Sequence, residues 1–124
     1  GIVQQSPLPV TVKVRLGESD RKVNVERVTR LLAAAGAAAV IVHGRTMEQR
    51  YRKPADWERI AAVAVAPGSP PIIGNGDILT HYEAKRRMAC GCHAVMVGRG
   101  ALIKPWIFDE VRGGMELAPS AAER

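Results

Sequence analysis

Short runs of β-branched residues alternate with segments of helical periodicity along this chain, and no other feature restricts its fold as strongly. The β-branched runs fall at residues 10–14, 39–42, 71–73 and 94–97. Apolar residues spaced three or four apart predict helices near residues 23–32, 57–64, 81–89 and 107–111. Strands separated by helices pair in parallel through right-handed crossovers. The order β-α-β-α-β-α-β-α therefore predicts the α/β class.

Local signals predict where the helices begin and end. Thr80 and Glu83 have the spacing of a capping box, so a helix should start at His81. Gly36 follows the first helical segment, and glycine is the residue that most often terminates a helix. Pro105 suits the first position of the last helix, because its missing N–H group needs no partner there.

Four βα units make half of an eight-stranded TIM barrel, (β/α)8, which needs about 250 residues. This chain has 124. The alternative is a small open sheet with helices on both faces. A polar cluster follows each strand, and four such clusters fit the mouth of a barrel better than a single crevice. We therefore predict that residues 1–112 form a partial barrel and that residues 113–124 form a tail.

The polar clusters after the last two strands indicate a phosphate site. Asn75-Gly76-Asp77 follows the third strand and Gly98-Arg99-Gly100 follows the fourth. Glycine lets backbone N–H groups approach a phosphate, and an arginine can bind it with two hydrogen bonds. Each motif alone is commonly only the geometry of a turn. Together, on consecutive strands, they favour a ligand that carries a phosphate group.

Two further residues are candidates for the same site. Lys13 interrupts an apolar strand, and alternation places it on one face with Thr11 and Arg15. On a half-exposed sheet this is an ordinary solvated lysine, whereas in a barrel it points a cation into the lumen. His43 ends the second strand, where it is either a ligand-binding residue or a hydrogen-bonded structural one.

Positive charge is concentrated in the segment from Arg45 to Lys53, which also contains Arg50, Tyr51 and Arg52. The whole chain carries a net charge of +6, which favours an anionic partner. A basic loop with an aromatic residue is typical of nucleic-acid backbone binding with base stacking. The alternative is a solvated surface loop, which by itself would be the simpler interpretation.

The sequence does not indicate a disulfide framework, a metal site or a membrane span. Cys90 and Cys92 are too few for a disulfide framework, and we interpret them as packing residues rather than as a metal site. The longest apolar run, residues 31–42, is too short to span a bilayer, so we predict no membrane partner. The chain does not start with Met, and we expect it to be a piece of a longer one.

A series of motifs resembles the tRNA-dihydrouridine synthase family. They are Pro-Val-Thr-Val-Lys-Val-Arg (9–15), Val-His-Gly-Arg-Thr (42–46), Gln-Arg-Tyr (49–51), Ala-Asp-Trp (55–57), Gly-Asn-Gly-Asp-Ile (74–78), Val-Met-Val-Gly-Arg-Gly-Ala-Leu (95–102) and Pro-Trp-Ile-Phe (105–108). They occur in the family's order and spacing from about residue 9 to residue 111. Residues 49–57 and 104–106 look most like the eukaryotic subgroup that modifies position 47 of tRNA.

The resemblance implies an FMN-dependent reductase on a TIM barrel, which converts uridine to dihydrouridine in tRNA with NADPH as electron source. It implies that Lys13 and His43 line the flavin site, and that Arg15 serves either the flavin pocket or the RNA rim. The residues implied at the ribityl-phosphate end are Asn75, Gly76, Asp77, Gly98 and Arg99. Those implied to face tRNA are Arg45, Arg50 and Lys53.

The resemblance covers only the C-terminal half of the family's barrel. The catalytic cysteine of the family lies in the other half, so no catalytic residue is assigned here and the chain alone should be inactive. The tail from residue 113 resembles the start of the family's C-terminal helical domain. Expected partners are tRNA and the N-terminal half of the barrel, in the cytoplasm or the nucleus. The alternatives are another FMN- or phosphate-binding barrel oxidoreductase and a non-catalytic tRNA-binding half-barrel.

Overall fold

The computed structural model describes residues 1–122, which form four strands and six helices. The strands are β1 (Thr11–Arg15), β2 (Ala39–His43), β3 (Ile72–Asn75) and β4 (Ala94–Met96). The helices are α1 (Ile2–Gln5), α2 (Val25–Ala34), α3 (Trp57–Val65), α4 (His81–Met88), α5 (Arg99–Ile103) and α6 (Ile107–Gly113). Each predicted strand is present within one or two residues of its expected bounds, and the predicted α/β class is confirmed.

The four strands form one parallel sheet in the order β1-β2-β3-β4. Each strand pairs with the next in the sequence, and a helix crosses over between them, as the alternation predicts. β1 and β4 are the two edges of the sheet among the described residues. Sequential parallel strands with intervening helices are the architecture of part of a TIM barrel.

The two faces of the sheet differ in what covers them. The helix face contributes its side chains to the core formed with α2, α3 and α4: Val12, Val14, Val40, Val42, Ile72 and Val95. The opposite face, here called the open face, carries Lys13, Ile41, Ile73 and Met96 among others. None of the open-face side chains belongs to the described core cluster. The alternative of a sheet with these helices on both faces is therefore wrong, because all three helices pack on one face.

Capping side chains explain where α3 and α4 begin. Asp56 accepts a hydrogen bond from the N–H of Arg59 (2.9 Å) at the start of α3. Thr80 accepts one from the N–H of Glu83 (3.2 Å), and the Glu83 carboxylate accepts one from the N–H of Thr80 (3.1 Å). The predicted capping box is thus confirmed. Each such bond satisfies an N–H group that has no partner within the helix.

Three local features differ from the predictions. Helix α6 begins at Ile107, with Trp106 as its N-cap, so Pro105 precedes the helix instead of opening it. The short helices α1 and α5 were not predicted, because four or five residues are too few to show helical periodicity. They are single turns or little more.

The C-terminal segment follows α6 without a further helix or strand up to residue 122. It contacts the fold at Leu117, whose N–H donates to the buried carboxylate of Glu110 (3.0 Å). The last two residues of the predicted tail, 123–124, lie outside the described part of the chain. Among residues 1–122, no helix has both the length and the apolar character needed to cross a membrane.

Candidate cofactor and nucleic-acid site

The strand register brings the predicted polar clusters to one edge of the sheet. Arg15 pairs with His43, His43 with Asn75, and Asn75 with Met96, so the four strands end at the same level. One cleft at this edge is lined by all but one of the predicted cofactor residues: His43, Asn75, Gly76, Asp77, Gly98 and Arg99. The remaining one, Lys13, lies exposed on the open face, two residues before the end of β1.

Asp77 is the centre of the hydrogen-bond network in this cleft. Its carboxylate accepts two bonds from Arg45 Nη2, both 2.7 Å long, and one from Arg99 Nη2 (3.1 Å). The N–H of Ala55 donates a fourth (2.8 Å). Burial alone would raise the pKa of Asp77, but the bonds from Arg45 and Ala55 and the charge of Arg99 hold it below its usual value. Asp77 is therefore an anion that joins three loops.

Arg45, which is predicted to face tRNA, is buried in the structure. Only 3 % of the residue is exposed, and its Nε donates to the carbonyl of Lys53 (2.6 Å). A buried guanidinium needs an anion, and Asp77 supplies one from the end of the next strand. Each of the two residues lies two positions after the register pair His43–Asn75, so the strand register, and no local sequence pattern, brings them together.

His43 is neutral at physiological pH in this environment. Burial, followed by the charges of Lys13, Arg15 and Arg45, lowers the pKa of His43 to about 4. Arg45 Nη1 lies 3.3 Å from Nε2 of the imidazole. A guanidinium can only donate, so this contact assigns Nε2 as the acceptor and Nδ1 as the protonated nitrogen. The imidazole can thus donate one hydrogen bond through Nδ1 without adding charge.

The glycines of the two turns have different structural reasons. Gly76 has φ +132°, and a Cβ there would lie 2.5 Å from the Ala55 side chain. Its carbonyl also accepts a hydrogen bond from the indole of Trp57 (3.0 Å), so this turn is fixed by packing. A Cβ at Gly98 would meet no atom within 4 Å. The space beside Gly98 is therefore open to a ligand.

Positive charge exceeds negative charge in the cleft. The guanidinium groups of Arg45 and Arg99 face the single carboxylate of Asp77, which leaves one positive charge in excess. The Arg99 side chain is 54 % exposed and so can reach a ligand. An exposed guanidinium beside open glycine backbone can donate hydrogen bonds to the oxygens of a phosphate monoester. The residues present therefore fit the phosphate group of FMN.

The predicted basic segment, Arg45 to Lys53, lies at the start of the connection between β2 and α3. Residues 46–54 of this connection, called the basic loop from here on, lie on one side of the cleft. Arg50 is exposed and has φ +48°, a conformation that occurs in tight turns. Lys53 is exposed as well, and its ammonium pairs with the carboxylate of Asp20 (2.7 Å). Both residues are thus at the surface, as their prediction as RNA-facing residues requires. The Tyr51 ring centre lies 5.5 Å from the guanidinium carbon of Arg45 and 4.5 Å from that of Arg99, and Tyr51 lines the cleft.

The cysteines and the other histidines lie outside the cleft. Cys92 is buried in the core and Cys90 is exposed, and both are free thiols. His81 is buried and His93 is exposed. Within residues 1–122, no three His, Cys, Asp or Glu side chains form a group that could hold a metal ion.

Comparison with known proteins identifies relatives over the whole site. The family model described as Dihydrouridine synthase (Dus) matches residues 1–121. A human protein named tRNA-dihydrouridine(47) synthase [NAD(P)(+)]-like is 41 % identical over 124 residues, which cover all of this chain and 19 % of the human protein. The tRNA-dihydrouridine(47) synthase of Cryptococcus neoformans is 45 % identical, over 94 % of this chain and 18 % of its own length. The chain therefore spans about a fifth of the curated relatives that it matches.

Proposed function

Because this chain belongs to the dihydrouridine synthase family, we propose that it is part of an enzyme that reduces uridine to dihydrouridine in tRNA. The relatives named above support this substrate and, through their names, position 47 and a nicotinamide reductant. We take NADPH as that reductant and FMN as the cofactor. The proposed place of action is the cytoplasm or the nucleus, where tRNA is available.

The observation that carries the proposal is the juxtaposition of Gly98 and Arg99 with Asn75, Gly76 and Asp77 at one cleft. In this proposal Arg99 binds the phosphate of FMN, and the open backbone at Gly98 lies beside it. Asp77 holds Arg99 through a 3.1 Å hydrogen bond when the guanidinium is not fully engaged by the ligand. The excess positive charge of the cleft offsets the charge of the phosphate.

Lys13 and His43 are proposed to meet the isoalloxazine end of the cofactor. Bound FMN supplies hydride transfer, while the protein supplies orientation and electrostatics. The ammonium of Lys13 stabilises negative charge that develops on the ring, and the neutral imidazole of His43 offers a hydrogen bond. Both side chains lie on the open face of the sheet, which corresponds to the lumen of a barrel.

The basic loop is proposed to contact tRNA through Arg50 and Lys53. Both are exposed, and the exposed Lys53–Asp20 pair costs little to separate when a phosphate takes its place. Arg45 has a different proposed role, because its side chain is buried against Asp77. In this proposal Arg45 holds the Asp77 carboxylate in the cofactor cleft and does not contact RNA.

Flavin binding tests the cofactor part of the proposal. The change Arg99→Ala should weaken FMN binding to the chain by roughly 1.5–3 kcal/mol, the contribution of a hydrogen bond to a charged group. Arg112→Ala is the matched control, because Arg112 is exposed, pairs with Asp109 on the same helix (3.2 Å) and does not line the cleft. Titration calorimetry with FMN measures both. Equal affinities of wild type and Arg99→Ala would refute the phosphate assignment.

Activity requires the parts of the enzyme that this chain does not supply, among them the proposed catalytic cysteine. We therefore propose a hybrid in which this chain replaces the aligned segment of the human relative. The hybrid is assayed in cells that lack their own tRNA-dihydrouridine(47) synthase. Dihydrouridine at position 47, measured by mass spectrometry of tRNA nucleosides, is the expected result. The unassisted chain should give none. A chain that binds tRNA but no FMN would instead support a non-catalytic RNA-binding module.

A further inference from the structure

The Tyr51 ring connects the basic loop to the arginine of the proposed phosphate site. The guanidinium carbon of Arg99 lies 4.5 Å from the centre of the ring, and that of Arg45 lies 5.5 Å from it. Both distances are within the range of cation–π attraction. Tyr51 itself is 63 % exposed, so burial does not hold its ring in this place. The two guanidinium groups contact the ring instead.

The other described contacts of the loop do not involve Arg99. Lys53 pairs with Asp20, Gln49 donates to the same carboxylate, and the N–H of Thr46 donates to Gln49 (3.0 Å). The first two contacts join the loop to the segment after β1, and the third lies within the loop. The Lys53 carbonyl accepts a bond from Arg45. Tyr51 is the loop residue whose side chain contacts Arg99 among the described cation–π pairs.

Arg99 has few other restraints of its own. Its side chain is 54 % exposed and makes one 3.1 Å hydrogen bond, to Asp77. A single bond leaves the long side chain free to rotate about its remaining torsions. The contact with the Tyr51 ring, whose centre lies 4.5 Å from the guanidinium carbon, is a second restraint on that rotation. A guanidinium that is already positioned loses less conformational entropy when it binds a phosphate.

We propose that Tyr51 is a positioning residue that couples the basic loop to the binding of the cofactor phosphate by Arg99. With the loop closed, the ring holds Arg99 in the cleft and raises the affinity for the phosphate. A phosphate on Arg99 in turn holds the guanidinium against the ring and keeps the loop closed. Linkage requires the two effects to be equal in size. The inference rests on the proposed cofactor function and names a residue outside its direct contacts.

Two flavins that differ only in the phosphate provide the first test. Tyr51→Ala should weaken FMN binding by about two- to five-fold, the effect expected for an exposed cation–π contact. It should leave the affinity for riboflavin, which has no phosphate, unchanged. Tyr51→Phe keeps the ring and should restore FMN binding to the wild-type value. An equal loss for both flavins would overturn the proposal, because it would show a general structural role.

Limited trypsin digestion provides the reciprocal test. The bonds after Arg50 and Arg52 lie in the loop, and their cleavage rates report how often it opens. Saturating FMN should slow cleavage of the wild-type chain, and saturating riboflavin should not. FMN should give no protection to Tyr51→Ala or Arg99→Ala, each compared with its own rate without ligand. Equal protection of wild type and Tyr51→Ala by FMN would overturn the coupling.

The failure of this inference can be told apart from the failure of the proposed function. If the wild-type chain binds no FMN, the cofactor proposal fails and the coupling fails with it. If FMN binds and Arg99→Ala weakens it while Tyr51→Ala does not, only the coupling is wrong. The double variant Tyr51→Ala/Arg99→Ala should bind FMN no more weakly than Arg99→Ala alone, because Tyr51 acts through Arg99.

Discussion

The guanidinium of Arg45 lies almost fully buried against the carboxylate of Asp77, with Nη2 2.7 Å from each carboxylate oxygen. The two residues are 32 positions apart and follow adjacent parallel strands. The same carboxylate accepts the N–H of Ala55 and a bond from Arg99. This pair therefore fixes the loops after β2, β3 and β4 relative to one another. The Asp77 carboxylate is thus the group that joins the three loops of the cleft.

Replacing the acid should destabilise the fold. Asp77→Asn removes the charge but keeps the size of the side chain, so Arg45 remains buried without an anion. Removal of one partner of a buried ion pair costs about 3–5 kcal/mol. Because the Asp77 side chain is 31 % exposed, we expect a loss at or below the lower end of that range, about 2–3 kcal/mol. Urea denaturation followed by circular dichroism measures the change.

Asp109→Asn is the matched control for that experiment. Asp109 also pairs with an arginine, Arg112, at 3.2 Å, but both side chains are largely exposed. Exposed ion pairs contribute about 0–1 kcal/mol, so this variant should unfold near the wild-type midpoint. If Asp77→Asn were no less stable than Asp109→Asn, the Arg45–Asp77 pair would not have the structural role assigned to it.

The fold follows from local sequence signals to a large extent. β-branched runs mark all four strands, and the Thr80–Glu83 box marks the first residue of α4. These signals act over a few residues, so the sequence displays them directly. The sequence does not predict helix α5, because its five residues begin with Arg99 and Gly100 and show no helical periodicity. Its turn packs Gly100 against the carbonyl of Ile78 in another loop, which no local pattern reveals.

The site is predictable in its location but not in its pairing. Polar residues after parallel strands must meet at one edge, and the register of His43 with Asn75 confirms this. Arg45 belongs to a run of basic residues and therefore resembles a solvated, RNA-facing side chain. Its burial depends on Asp77, whose proximity arises only from the strand register. A charge pattern along the chain carries no information about such contacts between distant residues.

Acid should destabilise the chain through His43. Its pKa is about 4 in the folded chain, mainly because of burial, and about 6.5 when unfolded. Between these values the unfolded state binds a proton that the folded state does not, so stability falls as the pH drops from 6.5 to 4. At 1.36 kcal/mol per pKa unit, we expect a loss of between about 1 and 3 kcal/mol. Urea midpoints measured across this range test it.

The histidine contribution can be separated from that of the carboxylates by substitution. His43→Asn should remove most of the loss between pH 6.5 and 4, since its side chain does not titrate there. His93→Asn should retain the wild-type slope, because His93 is exposed and lies outside the cleft. An unaltered pH dependence in His43→Asn would show that His43 is not the group responsible.

Gly74 should tolerate no side chain, because Trp57 packs directly on it. A Cβ at Gly74 would lie 2.4 Å from Cζ3 of the indole, and the Cys92 sulfur would be 3.2 Å away. Gly74→Ala therefore should cost about 1–3 kcal/mol, as overpacking of a core does. In Gly113→Ala, at the end of α6, the new Cβ would lie 3.6 Å from Cγ of Met115, an ordinary van der Waals distance. That variant should be as stable as wild type or more stable, by up to about 1 kcal/mol, in urea denaturation.

The open face and the two sheet edges should make the isolated chain associate. β1 and β4 each have one strand neighbour among the described residues, and unpaired edges template pairing with a second chain. Closure of two copies into a barrel-like body would bury the open face, including Ile73. We therefore expect dimers or larger species of the wild-type chain in sedimentation velocity. A sharp monomer boundary at micromolar concentration would contradict this.

A pair of adjacent isoleucines shows whether the open face is responsible for that association. Ile73 is partly exposed on the open face, whereas Ile72 is fully buried under the helices. Ile73→Glu should raise the monomer fraction and lower stability by less than about 1 kcal/mol. Ile72→Glu places an unpaired charge in the core, which costs several kcal/mol, and should unfold the chain. Sedimentation and circular dichroism of both variants give the answer, and an Ile73→Glu variant as associated as wild type would exclude the open face as the interface.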